Sequence, residues 1–414
     1  MAKSQEHYDE LETRSPEERE TALLQALPAQ IAYAKENAPY FRRLLEGVDA
    51  EAVSSRQALA GLPVTRKGDL IEKQKEAPPL GGFAAMSPGR IRNIYQSPGP
   101  IHEADGHGHD YWRMARAFFA GGFREGDVVH NTFSYHFTPA GAMTESGCHA
   151  LGCIVFAAGI GQTEQQVEAI AAIRPTAYAG TPSFLKILLE KGRETGTDVS
   201  SLVKAEVGGE ALPPSLRAEL EEYGVAVSQL YATADLGLIA HESPAREGLI
   251  VDEDLIVEIL RPGTGDPVPP GEVGEVVVTT FSKVYPLVRF ATGDLSAVME
   301  GLSPCRRTNV RLKGWMGRAD QATKVKGMFV QPAQIAEVRK RHPEIGKVRL
   351  VVDRHGGKDV MTLNCETAEE GADLAARIAD TLRAVAKMKG EVALVAPGSL
   401  ANDGKVIDDV RDYD

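Results

Sequence analysis

The stretch 153-CIVFAAGIGQTEQQVEAIAAIRPTAYAGTPSFLKILLEKGRE-194 decides the fold class. It opens on a short apolar run, 153-CIVFAA-158, which reads as a strand. A helical pattern follows over 163-TEQQVEAIAAIR-174, then a strand-like piece, 176-TAYAG-180, then a second helix, 182-PSFLKILLEKGRE-194. The alternation extends both ways. Upstream are a helix over Tyr111–Ala120, a strand at 127-DVVHNTF-133 and a helix at 139-PAGAMTESGCHALG-152; downstream, 203-VKAEVGG-209 is strand-like. Such alternation predicts an α/β sheet layered by helices. In open sheets of this kind ligands bind beyond the carboxyl ends of the strands, so the turns after the strands are where chemistry is sought.

The flanks have their own character. Leu23, Leu24, Leu27, Ile31 and Ala34 recur at helical spacing behind Ser15-Pro16-Glu17-Glu18, a good helix start. Gly61 to Arg66, with Pro63, breaks this opening region. Residues 249–300 turn strand-rich, with 255-LIVEIL-260, 273-VGEVVVTTF-281 and 287-LVRFATGDLSAV-298 punctuated by Gly and Pro. A boundary is expected near 314-GWMGRADQ-321. Beyond it the pattern restarts: helix 332–341, strands 347–353 and 359–366, helix 369–387, strand 391–396. At ~150 residues per domain the length allows two or three. The expected division is 1–316, an α/β domain with a β subdomain at about 249–312, followed by a small α+β domain at 317–414.

Composition excludes several functions. The net charge of −12 argues against nucleic-acid binding, which needs a basic face, but permits a basic pocket for an anionic small molecule. Cys148, Cys153, Cys305 and Cys365 show no C-x-x-C spacing, so neither a zinc ribbon nor a disulfide framework is expected. The charged start, MAKSQEHYDELETRSPEERE, lacks an apolar signal core, and no run reaches the ~20 apolar residues of a membrane span. A cytoplasmic, reducing location without membrane contact is expected.

Six places could carry chemistry. In 205-AEVGGEALP-213 the two glycines let a backbone approach a flat ligand, though a tight strand–helix turn looks the same. In 228-SQLYATADLG-237, Tyr231 could stack on a base and Asp235 could hold a metal. In 287-LVRFATGDLS-296, Asp294 follows Gly293 at a strand end and could take two ribose hydroxyls. In 317-GRADQATKVKG-327, Arg318, Asp320, Lys324 and Lys326 suit either a solvated linker or a hinge. In 403-DGKVIDDVRD-412, Lys405 lies in a tail of mobile appearance and could neutralise charge on a phosphate. Last, 94-IYQSPGPIHEADGHGHDYW-112 lies where a phosphate loop could sit. There Pro98 and Pro100 have no N–H to give, and Glu103 and Asp105 would repel a phosphate. His102, His107, His109 and Asp110 join those acids as metal-competent residues, but Gly106 and Gly108 leave the loop floppy and the spacing matches no known metal site.

Taken in order, these pieces resemble the phenylacetate–CoA ligase-like branch of the adenylate-forming enzymes. The resemblance starts at 38-APYFRRLLEG-47 and 62-LPVTRKGDLIE-72 and continues through 161-GQTEQQVEAIAAIRPTAYAGTPSFL-185. It then takes in 208-GGE-210, 231-YATAD-235, 289-RFATGD-294, 317-GRAD-320, 327-GMFVQPAQI-335 and 404-GK-405. It implies the adenylate-forming fold with a small mobile C-terminal domain. It also implies that a carboxylic acid is activated with Mg-ATP to an acyl adenylate and then transferred to CoA. By motif, Asp294 would hold the ribose, Tyr231 would pack on adenine, and Thr233 would belong to the cofactor-binding residues. Gly209 and Glu210 would border the nucleotide and acyl pocket. Arg318 and Asp320 would sit at the ribose and hinge, Lys324 and Lys326 would belong to the cofactor-binding residues, and Lys405 would be the adenylation lysine. Asp235 stands where the family has a magnesium-binding Glu. The family's phosphate loop is rich in Ser, Thr and Gly and holds a Lys; its counterpart, 96-QSPGPIHE-103, keeps Ser97 and Gly99, with His102 or 90-RIRN-93 available to rebuild the contact. Tyr135, His136 and Phe137 (in 133-FSYHF-137), with Gly208 and Ala232, would line a pocket suited to an aromatic or arylacetic acid. No structural zinc is expected, because Cys305 stands alone where Ser243 and Ile250 take the other positions. A homodimer would suit the family. Two other readings stay open: an enzyme of this fold with another acceptor, and a silent relative that binds nucleotide or acyl-CoA.

Overall fold

The computed structural model describes residues 6–85, 89, 91–97, 100–319, 323–325, 328–355, 358–369, 371–401 and 405–411. The chain divides into two compact units: one of residues 1–257, 278–290 and 299–314, the other of residues 258–277, 291–298 and 315–414.

The first unit begins on the helix Pro16–Asn37, opened by a capping box between Ser15 and Glu18. Past the short helices Pro39–Leu44, Arg56–Ala60 and Leu70–Glu76 comes an antiparallel hairpin of β1 (Ile91–Ser97) and β2 (Ile101–Gly106), with Ser97 opposite Ile101. The stretch expected as a floppy loop is therefore a strand as far as Gly106, since its acids find partners across the hairpin. The main sheet contains β3 (Val128–Asn131), β4 (Ile154–Ala157), β5 (Ala177–Gly180), β6 (Lys204–Val207), β7 (Ala226–Thr233), β8 (Gly237–Glu242), β9 (Leu249–Val251) and β10 (Arg311–Leu312). They lie in the order β10-β9-β8-β7-β6-β5-β3-β4. From β4 to β7 every pairing is parallel, and from β7 to β10 every pairing is antiparallel.

The layering helix Pro182–Thr195 shows why these segments fold as they do. Thr181 caps it by accepting the Phe184 N–H, Pro182 sits in its first turn, and Gly196 ends it at φ +67. Leu185, Leu188, Leu189 and Gly192 then fall on its buried face. The leucines pack with Val167, Ile170, Tyr178, Val207 and Val227 of neighbouring elements, each contributing roughly 1.5–3 kcal/mol by burial. The helix expected from Tyr111 starts only at Ala115. Arg113 takes φ +61, and the Asp110 carboxylate accepts the N–H groups of Met114 and Ala115, which fixes the later start.

The second unit carries an α+β sandwich. Its sheet consists of β11 (Val348–His355), β12 (Lys358–Glu366), β13 (Glu391–Val395) and β14 (Ile407–Asp409), in the order β13-β12-β11-β14. The helices Pro332–Arg341 and Ala372–Ala386 cover it through Ile335, Val338, Ile378 and Leu382, which join Leu350, Val352, Leu363 and Ile407 in one core. The segment after Lys405 is thus no loose tail. It adds a parallel strand, Ile407 opposite Leu350, because Ile407 completes that core.

Candidate functional site

The carboxyl edge of the parallel sheet gathers the turns of the first unit. The Thr132 N–H donates to the Ala179 carbonyl (2.8 Å), and the Gly208 N–H donates to the Gly180 carbonyl (3.1 Å). Val207 pairs with Gln229, so residues 208–210 leave the sheet beside residues 230–233, where β7 runs on against β8. Glycine is required here. A Cβ on Gly180 would stand 1.9 Å from Thr132 Oγ1 and 2.3 Å from Tyr178 Oη. A Cβ on Gly208 would meet Leu230 Cδ1 at 2.9 Å. Gly209 adopts φ +77, and a Cβ there would stand 3.9 Å from the ring of Phe133 and from Thr181 Cγ2. Glu210 is exposed and Tyr231 half-buried beside this edge. Ala232 pairs with Leu238 across a bulge, and Thr233 Oγ1 accepts the Leu236 N–H (3.2 Å), closing the turn before Asp235.

The aromatic segment divides. Phe133 faces Gly209, while Tyr135 packs against Gly141 and its hydroxyl accepts from Asn131 Nδ2 (2.8 Å). Burial pushes the Tyr135 phenol up. His136 is exposed, with its N–H on Ser134 Oγ (3.1 Å), and Phe137 takes φ +61 and is 74% exposed. Of the residues expected to line an acyl pocket, Phe137 points outward in this structure, and Phe133 takes the position next to the glycines.

Sequence reasoning missed the carboxylate cluster behind the hairpin. Glu103 is fully buried, and its carboxylate accepts the Ser97 N–H (3.2 Å) and the Ser97 hydroxyl. Burial, then the Asp235 charge, pushes the Glu103 carboxyl up to about 8, against the lowering effect of Ser97 and Lys67. Lys67 Nζ lies 2.7 Å from Asp235 Oδ2. Asp235 Oδ1 is buried with no hydrogen-bond partner among the described residues. Asp105 is consumed by Asn93 and Tyr95: it accepts the Asn93 N–H (2.6 Å), Asn93 Nδ2 (3.1 Å) and Tyr95 Oη (3.1 Å). Gln74 pins the hairpin from outside by bonding both the N–H and the carbonyl of His102. Gly99 lies outside the described residues. Among the described residues, no three His, Cys, Asp or Glu side chains gather as a metal site. Cys305 Sγ has Ser303 Oγ at 3.1 Å, and Ile250 pairs with His241.

The second unit presents Asp294 within the strand Phe290–Ser296, not at its end. The segment 316–319 runs antiparallel beside it through Leu295 N–H to Gly317 (2.8 Å) and Ala319 N–H to Gly293 (2.7 Å). That pairing delivers Trp315 Nε1 (3.1 Å) and Arg318 Nη1 (3.0 Å) to Asp294 Oδ1. Gly293, at φ +78, leaves room for the guanidinium, since a Cβ there would lie 2.6 Å from Arg318 Nη2. Trp315 was not read as a site residue; it stands next to the 317-GRAD-320 motif that was. Lys405 is half exposed, bonds Asp408 Oδ1 (2.7 Å), and lines a cavity of about 680 Å³ with Arg261, Arg339, Lys340 and Lys347. Lys324 falls in the strand Thr323–Val325; its side chain, Asp320 and Lys326 lie outside the described residues.

A family model described as AMP-binding enzyme matches residues 107–282. The phenylacetate-coenzyme A ligase of Thermus thermophilus is 31% identical over 88% of this chain and 84% of its own length. The Escherichia coli phenylacetate-coenzyme A ligase is 28% identical over 88% of this chain and 86% of its own. A solved structure of 2-hydroxyisobutyryl-CoA ligase in the postadenylation state with 2-HIB-AMP superposes with a TM-score of 0.73 at 26% identity, covering 100% of this chain and 94% of that one. With glycines closely packed at the sheet edge and relatives aligned along most of the chain, this protein belongs to the phenylacetate-coenzyme A ligase family of adenylate-forming enzymes.

Proposed function

We propose that this protein is an AMP-forming carboxylate–CoA ligase. The observation that carries the reading is the glycine-bearing carboxyl edge of the parallel sheet, where Gly180 and Gly208 have no room for a Cβ and Gly209 takes φ +77 beside the turn that holds Tyr231. Such an edge admits a flat ligand against backbone. In the first half-reaction a carboxylate oxygen of the acid attacks the α-phosphorus of ATP. A new P–O bond forms, and the bond to pyrophosphate breaks. In the second, the thiol of CoA adds to the acyl carbonyl, its proton leaves to solvent, and AMP departs. Asp294, whose side chain is 13% exposed between Trp315 and Arg318, is the residue to accept ribose hydroxyls. Lys405 would stabilise charge on the phosphate during the first step. Magnesium, when bound, neutralises phosphate charge. The buried and unsatisfied Oδ1 of Asp235 fits a magnesium ligand, and magnesium needs only one or two carboxylates beside its waters and phosphates.

The reading extends to an aromatic or arylacetic acid, supported by Phe133 beside Gly209 and by relatives named for phenylacetate. It takes residues 317–414 as a small domain that rotates between the half-reactions, with Lys405 used in the first orientation only. No helix among the described residues is long and apolar enough to cross a membrane, which accords with a cytoplasmic enzyme. The homodimer rests on the family resemblance. The test is AMP release from Mg-ATP, CoA and a panel of aryl, arylacetic and short branched acids, with Lys405→Ala as control. Acid-dependent AMP that disappears in the variant is the expected result. A second reading, a nucleotide- or acyl-CoA-binding protein without turnover, is favoured by the occupied Ser97 donors. It takes over if no acid yields AMP while calorimetry detects CoA.

A further inference from the structure

The Ser97 donors of the hairpin β1–β2 are already taken, and by a carboxyl group of the same hairpin. The Ser97 N–H and hydroxyl both donate to the Glu103 carboxylate, one to each oxygen. Neither side chain reaches solvent freely: Ser97 is 7% and Glu103 0% exposed. The register explains the contact. Ser97 pairs with Ile101 and Tyr95 with Glu103, so the Glu103 side chain returns along the hairpin to the strand end where Ser97 lies. Two donors on one carboxylate make the arrangement a phosphate cradle would make, with carboxylate oxygens in place of phosphate oxygens. The hairpin is not free to shed this contact by sliding, because Gln74 holds both backbone groups of His102 and Asp105 holds Asn93. On the far side stand Asp235, which repels the carboxylate, and Lys67, which attracts it. The Lys67 ammonium is engaged by Asp235.

We propose that Glu103 is an internal competitor for the Ser97 anion site, so that a nucleotide phosphate binds there only by displacing it. Glu103 thereby sets the affinity for nucleotide. The inference rests on the ligase reading for the identity of the competing anion, a nucleotide phosphate, but not for the contact itself. It has a signature that a merely structural acid lacks. Removing the carboxyl group improves binding of one substrate and leaves the other untouched.

The experiment is calorimetric titration of the full chain with Mg-ATP and, separately, with CoA, for wild type, Glu103→Gln and Glu103→Ala. Gln keeps the shape, so the fold is retained; Ala removes every hydrogen-bonding atom that could still hold Ser97. Both variants should bind Mg-ATP about tenfold more tightly or better, the order expected when a group holding two hydrogen-bond donors is removed, with CoA affinity unchanged. Adding Ser97→Ala to the Glu103→Gln protein should cancel the gain. Unchanged or weaker Mg-ATP binding in both variants, with CoA binding and melting temperature intact, overturns the proposal. If wild type then still releases AMP with an acid, the ligase reading survives that loss. If none of the proteins binds Mg-ATP, both ideas fall. If only the Glu103 variants bind it, the internal competitor is established and the wild-type chain is self-blocked.

Discussion

Lys67 and Asp235, 168 residues apart in sequence, meet as an ion pair with Nζ 2.7 Å from Oδ2. The aspartate side chain is 0% and the lysine 23% exposed. Since Asp235 Oδ1 has no hydrogen-bond partner among the described residues, the lysine carries most of the compensation for burying this charge. Lys67→Ala should therefore cost about 2–4 kcal/mol in urea unfolding, with Lys67→Ala/Asp235→Asn losing less than the single variant. Added magnesium should restore part of the single variant's melting temperature, because Asp235 then gains another cation. A double variant as unstable as the single one would refute the pairing.

Glu206 gives a pH prediction. It lies on β6, fully buried, with neither oxygen hydrogen-bonded among the described residues, and burial and then the Glu242 charge raise it well above the usual value of 4.5. A raised acid binds its proton more tightly in the folded state. Its contribution is fully present below about 4.5 and is lost as pH rises toward the folded value. Glu206→Gln cannot ionise. Its melting temperature should match wild type near pH 4 and exceed it by a growing margin up to pH 8. A constant offset across that range would contradict the buried, proton-bound carboxyl.

Gly180→Ala tests the sheet edge. The added carbon would lie 1.9 Å from Thr132 Oγ1 and 2.3 Å from Tyr178 Oη, on a strand with partners on both sides. Overpacking of this kind costs roughly 1–3 kcal/mol and more where backbone has to shift. A soluble protein with lowered stability and weakened adenylate binding is expected. Wild-type stability and binding would mean the edge is looser than its geometry.

Asp294→Ala tests the ribose assignment. Losing charged hydrogen bonds of ~1.5–3 kcal/mol should weaken Mg-ATP roughly 10- to 100-fold while leaving CoA affinity unchanged. Equal loss for both ligands would point to collapse of the Trp315–Asp294–Arg318 contact instead of lost recognition.

The alternation of strand and helix from Val128 to Thr233 was legible because short strand-like runs such as 154-IVFA-157 alternate with helical patterns, one of them capped at Thr181 and ended at Gly196. The glycines at 208 and 209 were legible for the same local reason. What was not legible depended on distant partners. Glu103 reads as an obstacle to phosphate until the register brings it onto Ser97. Lys67 is one charge among many until Asp235 is placed beside it. Tyr111 looked helical because residue type says nothing of Arg113 at φ +61. The sequence after Lys405 looked mobile, since only Leu350 and its neighbours show that Ile407 has a sheet to join.

The contact between Trp315 and Asp294 also gives the protein its own optical probe. The chain has two tryptophans. Trp112 is 3% exposed, so it supplies a steady, blue-shifted emission. Trp315 is 55% exposed, and its indole N–H rests on the carboxylate assigned to ribose. Any sugar that takes that carboxylate breaks the indole hydrogen bond and changes the red part of the spectrum alone. Occupancy of the site can be followed by intrinsic fluorescence in stopped flow, with no label attached.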